Sequence, residues 1–243
     1  MTEIDRALRE LRTVPPAGEA DAPLPVAGTA VLVRDGRDGP EVLLMRRPEN
    51  GSFGGAWVFP GGRVEPGDLV AGAPEVDDAR RAAARETSEE VGLSVDAAAM
   101  QTLSCWTPPT GIRKRIRTWF FAASVLDAAL TVSPDEVVDV AWERPGDVLE
   151  RHARGELTLY PPTWITLHDV AGHRDAAALV DAVRVTGVRM FSTVVRTADA
   201  GPVFVWEPDA AHDPDAPLDA PGPRHRLLTD ALPWRYLADG TAL

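Results

Sequence analysis

Three glutamates, Glu86, Glu89 and Glu90, crowd into five residues directly after Arg85. On a helix advancing about 100° per residue they fall within an arc of roughly 100°. Like charges on one turn repel and destabilise it, so a neutralising partner is required. A hard divalent cation, Mg²⁺ or Mn²⁺, suits an all-oxygen donor set. Ala79, Ala82 and Ala83 lie on the same side and leave a low ridge that another backbone segment can approach. Ala84, Thr87, Ser88 and Val91 point the other way as a packing face. Upstream, Gly61 and Gly62 follow an apolar run and allow a turn with exposed carbonyls. Asp68 then supplies an acid that can pair with Arg85 and orient the helix. A solvated acidic turn is the plain alternative for the glutamates taken alone.

The elements that must position these residues are legible as periodicities. Asp77 to Val91 reads as a helix, with an aspartate start, an alanine-rich middle and Gly92 as its stop. VAGTAVLVRD and EVLLMRR, separated by GRDGP, read as a strand pair, and AWVFPGG as a third short strand closed by a turn. TLSCW, IRTWFFAASVL and EVVDVAW follow as strands. PGDVLERHARG and PPTWITLHDVAG read as helices opened by proline and closed by glycine, with a further helix in DAAALVDAVRV. After Gly187 the pattern changes to strand-like alternation and a proline-rich stretch. The expected organisation is an N-terminal helix (residues 2–13) and linker over 1–24, an α/β domain over 25–186, and an α+β extension over 187–243 packed on it.

Composition bounds the function. A chain of 243 residues can bury a substantial core as one domain with additions or two small ones. The net charge of −12 argues against a generic nucleic-acid or anionic-membrane partner. No apolar run approaches the roughly 18 residues of a membrane span, and the charged N-terminus lacks a secretory pattern. Cys105 is the only cysteine, which excludes an internal disulfide. A cytoplasmic protein is expected. The one basic island is GIRKRIRT, Gly111 to Thr118.

Gly62, Asp68, Arg85-Glu86, Glu89-Glu90, Gly92 and Leu93 together resemble the Nudix box, G-x5-E-x7-R-E-U-x-E-E-x-G-U with U aliphatic. Three departures stand out: Asp68 for glutamate, Thr87 at the first aliphatic position, and sixteen residues (69–84) where the pattern has seven, a lengthening of the loop ahead of the helix. The resemblance implies an α/β/α sandwich with a mixed sheet, and hydrolysis of a nucleoside diphosphate linked to another group. It further implies Glu86, Glu89 and Glu90 as metal ligands aided by a carbonyl at Gly61 or Gly62. The general base is either a box glutamate or an acid beyond the box, Glu136 or Asp139, of which Glu136 is favoured. Members of the family are often dimers, so a homodimer is an expectation from resemblance alone.

Segments Val42–Asp68 and Trp106–Ala123, with the lengthened box, are similar to the acyl-coenzyme A diphosphatases. That subgroup implies coenzyme A or acyl-coenzyme A as substrate. Arg113, Arg115 and Arg47 are then candidates for the substrate phosphates, because guanidinium groups bind phosphate oxygens in a bidentate fork. On a strand, Arg115, Arg117 and Trp119 alternate onto one face, suited to a phosphate and a base. Relatives often carry an acid where this chain has Arg117. Competing readings are hydrolysis of ADP-ribose, NADH or a dinucleoside polyphosphate, a non-catalytic nucleotide sensor, and an isomerase using Cys105. The intact box acids favour catalysis.

Overall fold

The computed structural model describes residues 23–49, 53–112, 115–126 and 129–239. The helix expected over 2–13 lies outside them. The centre of the molecule is an eight-stranded mixed sheet. Strand β1 (Val26–Gly36) turns back into β2 (Gly39–Arg46), and the pair is antiparallel with Val33 opposite Val42. On its other side β1 runs parallel to β6 (Arg117–Ser124). Antiparallel β5 (Gln101–Thr107) and parallel β8 (Arg189–Ser192) complete that edge. Short strands β3 (Trp57–Val58) and β7 (Asp139–Glu143) both pair with β2, while β4 (Gly61–Arg63) pairs with β1.

Alternation along the central strands sorts their side chains to two faces. Ala30 and Leu32 join Leu43 and Phe121 under helix α1 (Glu75–Val91). Val31, Val33, Val42, Leu44 and Phe120 face the opposite layer. That layer holds helices α2 (Pro145–Ala153), α3 (Pro161–Val170) and α4 (Ala176–Thr186). Both faces are covered, which is why the central strands read as nearly continuous apolar runs.

Beyond Gly187 the described residues contribute strands and turns. A four-stranded antiparallel sheet is formed by β9 (Val194–Ala198), β10 (Gly201–Val205), β11 (His225–Leu228) and β12 (Arg235–Ala238). Its aromatic side chains share the core of the first sheet: Trp106 of β5 stacks on Phe191 of β8 at 3.8 Å, and Trp206 meets both edge-on. Asp209 and Arg226 pair at 2.5 Å while buried, and Asp209 also accepts the backbone N–H groups of His225 and Ala211. A buried ion pair is tolerable when its remaining oxygens are satisfied in this way. No helix among the described residues is long and apolar enough to cross a membrane.

The sixteen residues between Asp68 and Arg85 were expected to lengthen a loop. The helix expected from Asp77 starts two residues earlier, at Glu75, so residues 75–84 belong to α1 and only residues 69–74 lengthen the loop ahead of it. Glu75, Asp77 and Asp78 in the first turn complement the helix dipole, and Gly92 closes it at φ 74°.

Candidate active site

Helix α1 lies on the sheet through small residues. Ala79, Ala82 and Ala83 are fully buried, and Gly28 of β1 sits beneath them. A Cβ at Gly28 would overlap the carbonyl oxygen of Ala79 and stand 3.0 Å from the amide nitrogen of Ala83. The helix therefore approaches the strand backbone more closely than any side chain would permit. Thr87 is also fully buried, and its hydroxyl donates to the carbonyl of Ala83 at 2.7 Å. That bond is how a hydroxyl is accommodated at a position where the box usually carries an aliphatic group. Val91 is buried with it, whereas Ser88, expected on the same packing face, is exposed.

The close approach brings the glutamates against the glycine turn. Glu90 is only 2% exposed and accepts the Gly61 N–H at 2.8 Å. Arg47, at the end of β2, stands 3.6 Å from its other oxygen. Burial pushes the Glu90 carboxyl up to about 7 against the pull of Gly61 and Arg47, and the charges of Glu86 and Glu136 add to the rise. Glu86 packs on Gly62, where a Cβ would overlap its carboxylate. Burial again raises its pKa, with Arg85 opposing and the charges of Glu89 and Glu136 reinforcing. Glu89 is half-exposed and bonds to Arg85 at 2.8 Å.

Arg85 is the hub. Its guanidinium meets the buried Asp68 at 3.0 and 3.1 Å, donates to the carbonyl of Arg63 at 2.9 Å, and contacts Glu86 at 3.1 Å. The bond to Asp68 is the first cause of its raised pKa. Asp68 itself closes a reciprocal turn with Glu65, and Arg81 donates to its carbonyl at 2.6 Å. The aspartate is thus long enough to meet the arginine despite being one methylene shorter than glutamate.

Two acids beyond the box are separated by the sheet. Ser133 donates its N–H to the carbonyl of Glu90, and Thr131 to that of Val91, which stitches the segment before Glu136 to the end of α1. Glu136 is close enough to act electrostatically on both Glu86 and Glu90. Asp139 instead pairs in register with Arg46, and the two line a cleft with Trp57 and Arg151. Arg46 and Arg47 point to opposite faces, as alternation requires.

The expected phosphate-binding face is rearranged. Arg113 lies outside the described residues. Arg115 donates to the carbonyl of Pro108 at 3.2 Å, and its Nε is buried without a partner. Arg117 and Trp119 both turn to Glu75 at the start of α1, at 3.1 and 2.8 Å, rather than to an open pocket. Cys105 is buried and its thiol is pushed up to about 11 by desolvation, which leaves it protonated at neutral pH and unavailable as a thiolate nucleophile. His152 and His225 are buried among aromatic rings.

Among the described residues no three acids, histidines or cysteines stand close enough, as placed, to hold a metal ion. The Arg85 guanidinium lies against both Glu86 and Glu89. The donor chemistry nevertheless fits a hard cation. Desolvation raises the pKa of the buried Glu90 and of the partly buried Glu86, so a cation beside them would offset that cost, and the carboxylate of Glu86 occupies the space a Cβ at Gly62 would fill. Gly28 and Glu75 were not singled out from sequence. A glycine inside a strand signals close backbone approach, so Gly28 had a readable mark; Glu75 had none.

Comparison with known proteins follows the same lines. A solved NUDIX hydrolase from Alicyclobacillus acidocaldarius shares the fold: TM-score 0.59 at 22% identity, over 66% of this chain and 97% of that one. The NUDIX domain of Shewanella oneidensis NrtR, solved with ADP ribose, aligns over 69% of this chain and 96% of its own, with a TM-score of 0.49 and 20% identity. A curated octanoyltransferase of Myxococcus xanthus is 38% identical over 99 residues, 39% of this chain, which spans about a quarter (24%) of that protein's length. The NUDIX domain family model matches residues 24–162, more than half of the chain. That span begins just before β1, contains the glycine turn and every box acid on α1, and ends in the first turn of α3; the chain belongs to the Nudix family of hydrolases.

Proposed function

We propose that this protein hydrolyses the diphosphate linkage of a nucleoside diphosphate joined to another group, with coenzyme A or acyl-coenzyme A as the favoured substrate. The observation that carries the hydrolytic reading is the buried Glu90, held by the Gly61 N–H and flanked by Glu86, Glu136 and Arg47. Glu86, Glu89 and Glu90, with the carbonyl of Gly61 or Gly62, would hold Mg²⁺ or Mn²⁺. When bound, such a cation neutralises charge developing on the diphosphate and acidifies a water. Glu136 is assigned as the base that takes the water's proton, because it stands with the box acids while Asp139 faces the other side of the sheet. Water adds at phosphorus, the P–O bond of the anhydride breaks, and the products are 3′,5′-ADP and 4′-phosphopantetheine or its acyl form. Arg85, bonded to Asp68, would orient the acids, and Arg47, 3.6 Å from Glu90, would exchange it for a substrate phosphate oxygen.

The preference for coenzyme A rests on the similarity of segments 42–68 and 106–123 to acyl-coenzyme A diphosphatases, with Arg115 and Arg113 as the phosphate-binding pair. A product assay by mass spectrometry tests it. The protein is incubated with coenzyme A, acyl-coenzyme A, ADP-ribose, NADH and diadenosine compounds, with Mg²⁺, Mn²⁺ or EDTA. Metal-dependent release of 3′,5′-ADP supports the reading. Cleavage of another panel member alone retains the hydrolase and replaces the substrate; a folded, metal-loaded protein that cleaves nothing overturns the catalytic assignment.

A further inference from the structure

Helix α1 touches the sheet at one very close point and is tethered on either side of it. The close point is Gly28 against Ala79 and Ala83. Toward the C-terminus the tethers are the Glu90 bond to Gly61 and the Arg85 bonds to Asp68. Toward the N-terminus Asp78 accepts the Val70 N–H of the preceding loop, and Glu75 ties the helix to the sheet by accepting from Arg117 Nη1 at 3.1 and 3.4 Å and from Trp119 Nε1 at 2.8 Å. These partners lie 42 and 44 residues further along the chain, on the strand that runs parallel to β1. Trp119 is the register partner of Gly28 itself, so tether and contact point sit at the same level of adjacent strands. The helix begins at Pro74, which supplies no side-chain cap. Glu75 is therefore directed across to β6.

This arrangement is a lever. At 1.5 Å per residue, Glu75 lies about 6 Å before Ala79, while Glu86 and Glu90 lie about 10 and 16 Å beyond it. Rocking about the Gly28 contact magnifies a displacement at Glu75 roughly two- to threefold at the acids. A misplacement of about 1 Å is enough to cost on the order of 10²-fold in rate.

We infer that Glu75, with Arg117 and Trp119, is a positioning group that sets the tilt of α1 and thereby the aim of Glu86, Glu89 and Glu90. The inference rests on the reading that those acids bind metal and act in hydrolysis. Arg117 and Trp119 thus serve the metal-binding helix from behind, without touching substrate.

The test compares Glu75→Ala, Glu75→Gln, Trp119→Phe and the exchange Glu75→Arg/Arg117→Glu with wild type. Three quantities are read well below the unfolding temperature: kcat, KM, and Mn²⁺ affinity by electron paramagnetic resonance with no substrate present. Glu75→Ala is expected to lower kcat and weaken Mn²⁺ binding, each by about tenfold or more, with KM near wild type. Glu75→Gln, which keeps an acceptor for Trp119, should fall between, and the exchange should recover activity relative to Arg117→Glu alone. A lower unfolding temperature with unchanged kcat and Mn²⁺ affinity would reduce Glu75 to a purely structural role and overturn the inference. So would a loss confined to KM. If wild type binds Mn²⁺ but cleaves no substrate in the panel, the substrate reading fails while the Mn²⁺ titration still decides the positioning role. A wild type that binds no Mn²⁺ overturns both.

Discussion

Replacing Glu90 by glutamine is expected to make the metal-free protein more stable while abolishing its activity. Burial raises the Glu90 carboxyl from 4.5 to about 7. Between those values the folded protein holds a proton that the unfolded chain has released, so wild-type stability falls as pH rises through that window. The difference of about 2.5 units corresponds to roughly 3 kcal/mol, present in full above about pH 7 and absent below about pH 4.5. Glutamine reproduces the neutral acid: its carbonyl oxygen can still accept the Gly61 N–H, and no charge is buried. At pH 8 in EDTA, Glu90→Gln should therefore unfold about 6–12 °C above wild type, since 1 kcal/mol moves a chain of this size by about 2–4 °C. The gap should close toward pH 4.5, and added Mg²⁺ should narrow it at pH 8 by stabilising wild type alone. Thermal unfolding at pH 4.5, 6 and 8, paired with hydrolysis assays at pH 8, reads both sides. A variant less stable than wild type at pH 8, or a gap indifferent to pH, would refute the assignment of Glu90 as a buried carboxylate awaiting a cation.

Glu136→Gln should lower kcat on the order of 10²–10⁴-fold with little change in KM, while Asp139→Asn leaves kcat within a few-fold of wild type; steady-state kinetics on both variants separate the two acids. Gly28→Ala places a methyl in overlap with the carbonyl oxygen of Ala79, so α1 must retreat by more than about 1 Å to reach van der Waals distance. Overpacking of that kind costs about 1–3 kcal/mol and should reduce hydrolysis by about 10²-fold; a variant with wild-type melting and kinetics would disprove the close contact. His152 is buried, packs edge-on against Trp234, and is held neutral with its pKa lowered from 6.5 to about 4 by desolvation. The unfolded chain takes up a proton that the folded one refuses, so this histidine should remove up to about 3 kcal/mol of stability as pH falls from 6.5 to 4. Unfolding free energies from denaturant titrations at pH 6.5 and 4 should fall less for His152→Leu than for wild type, by up to this amount.

What could be read without the fold was local in chain distance. Glu86, Glu89 and Glu90 share a face because a helix places residues three and four apart side by side, whatever surrounds it. The glycine turn, the helix stop at Gly92, and the proline-opened helices α2 and α3 are likewise written in neighbouring residues. The two faces of the sheet were not legible in this way, because the central strands read as nearly continuous apolar runs, and only the fold puts Arg47 beside Glu90 and Arg46 in the cleft with Asp139.

The tertiary structure decided everything that depends on which segments meet. Arg117 and Trp119 have the composition of a phosphate and base site, yet their partner is Glu75, and nothing near either segment announces the other. The helix from Asp77 is legible locally, but how closely it approaches the sheet depends on Ala79 and Ala83 seating on Gly28, a contact between residues some fifty positions apart. Asp139 and Glu136 look alike as candidate bases, three residues apart; only the stitching of residues 131–133 to α1 assigns Glu136 to the acid cluster. The charge state of Glu90 is the clearest case. Its sequence neighbours mark it as an acid among acids, but its pKa is set by how completely the fold removes water from it, and desolvation is a property of the whole packed surroundings rather than of any stretch of chain.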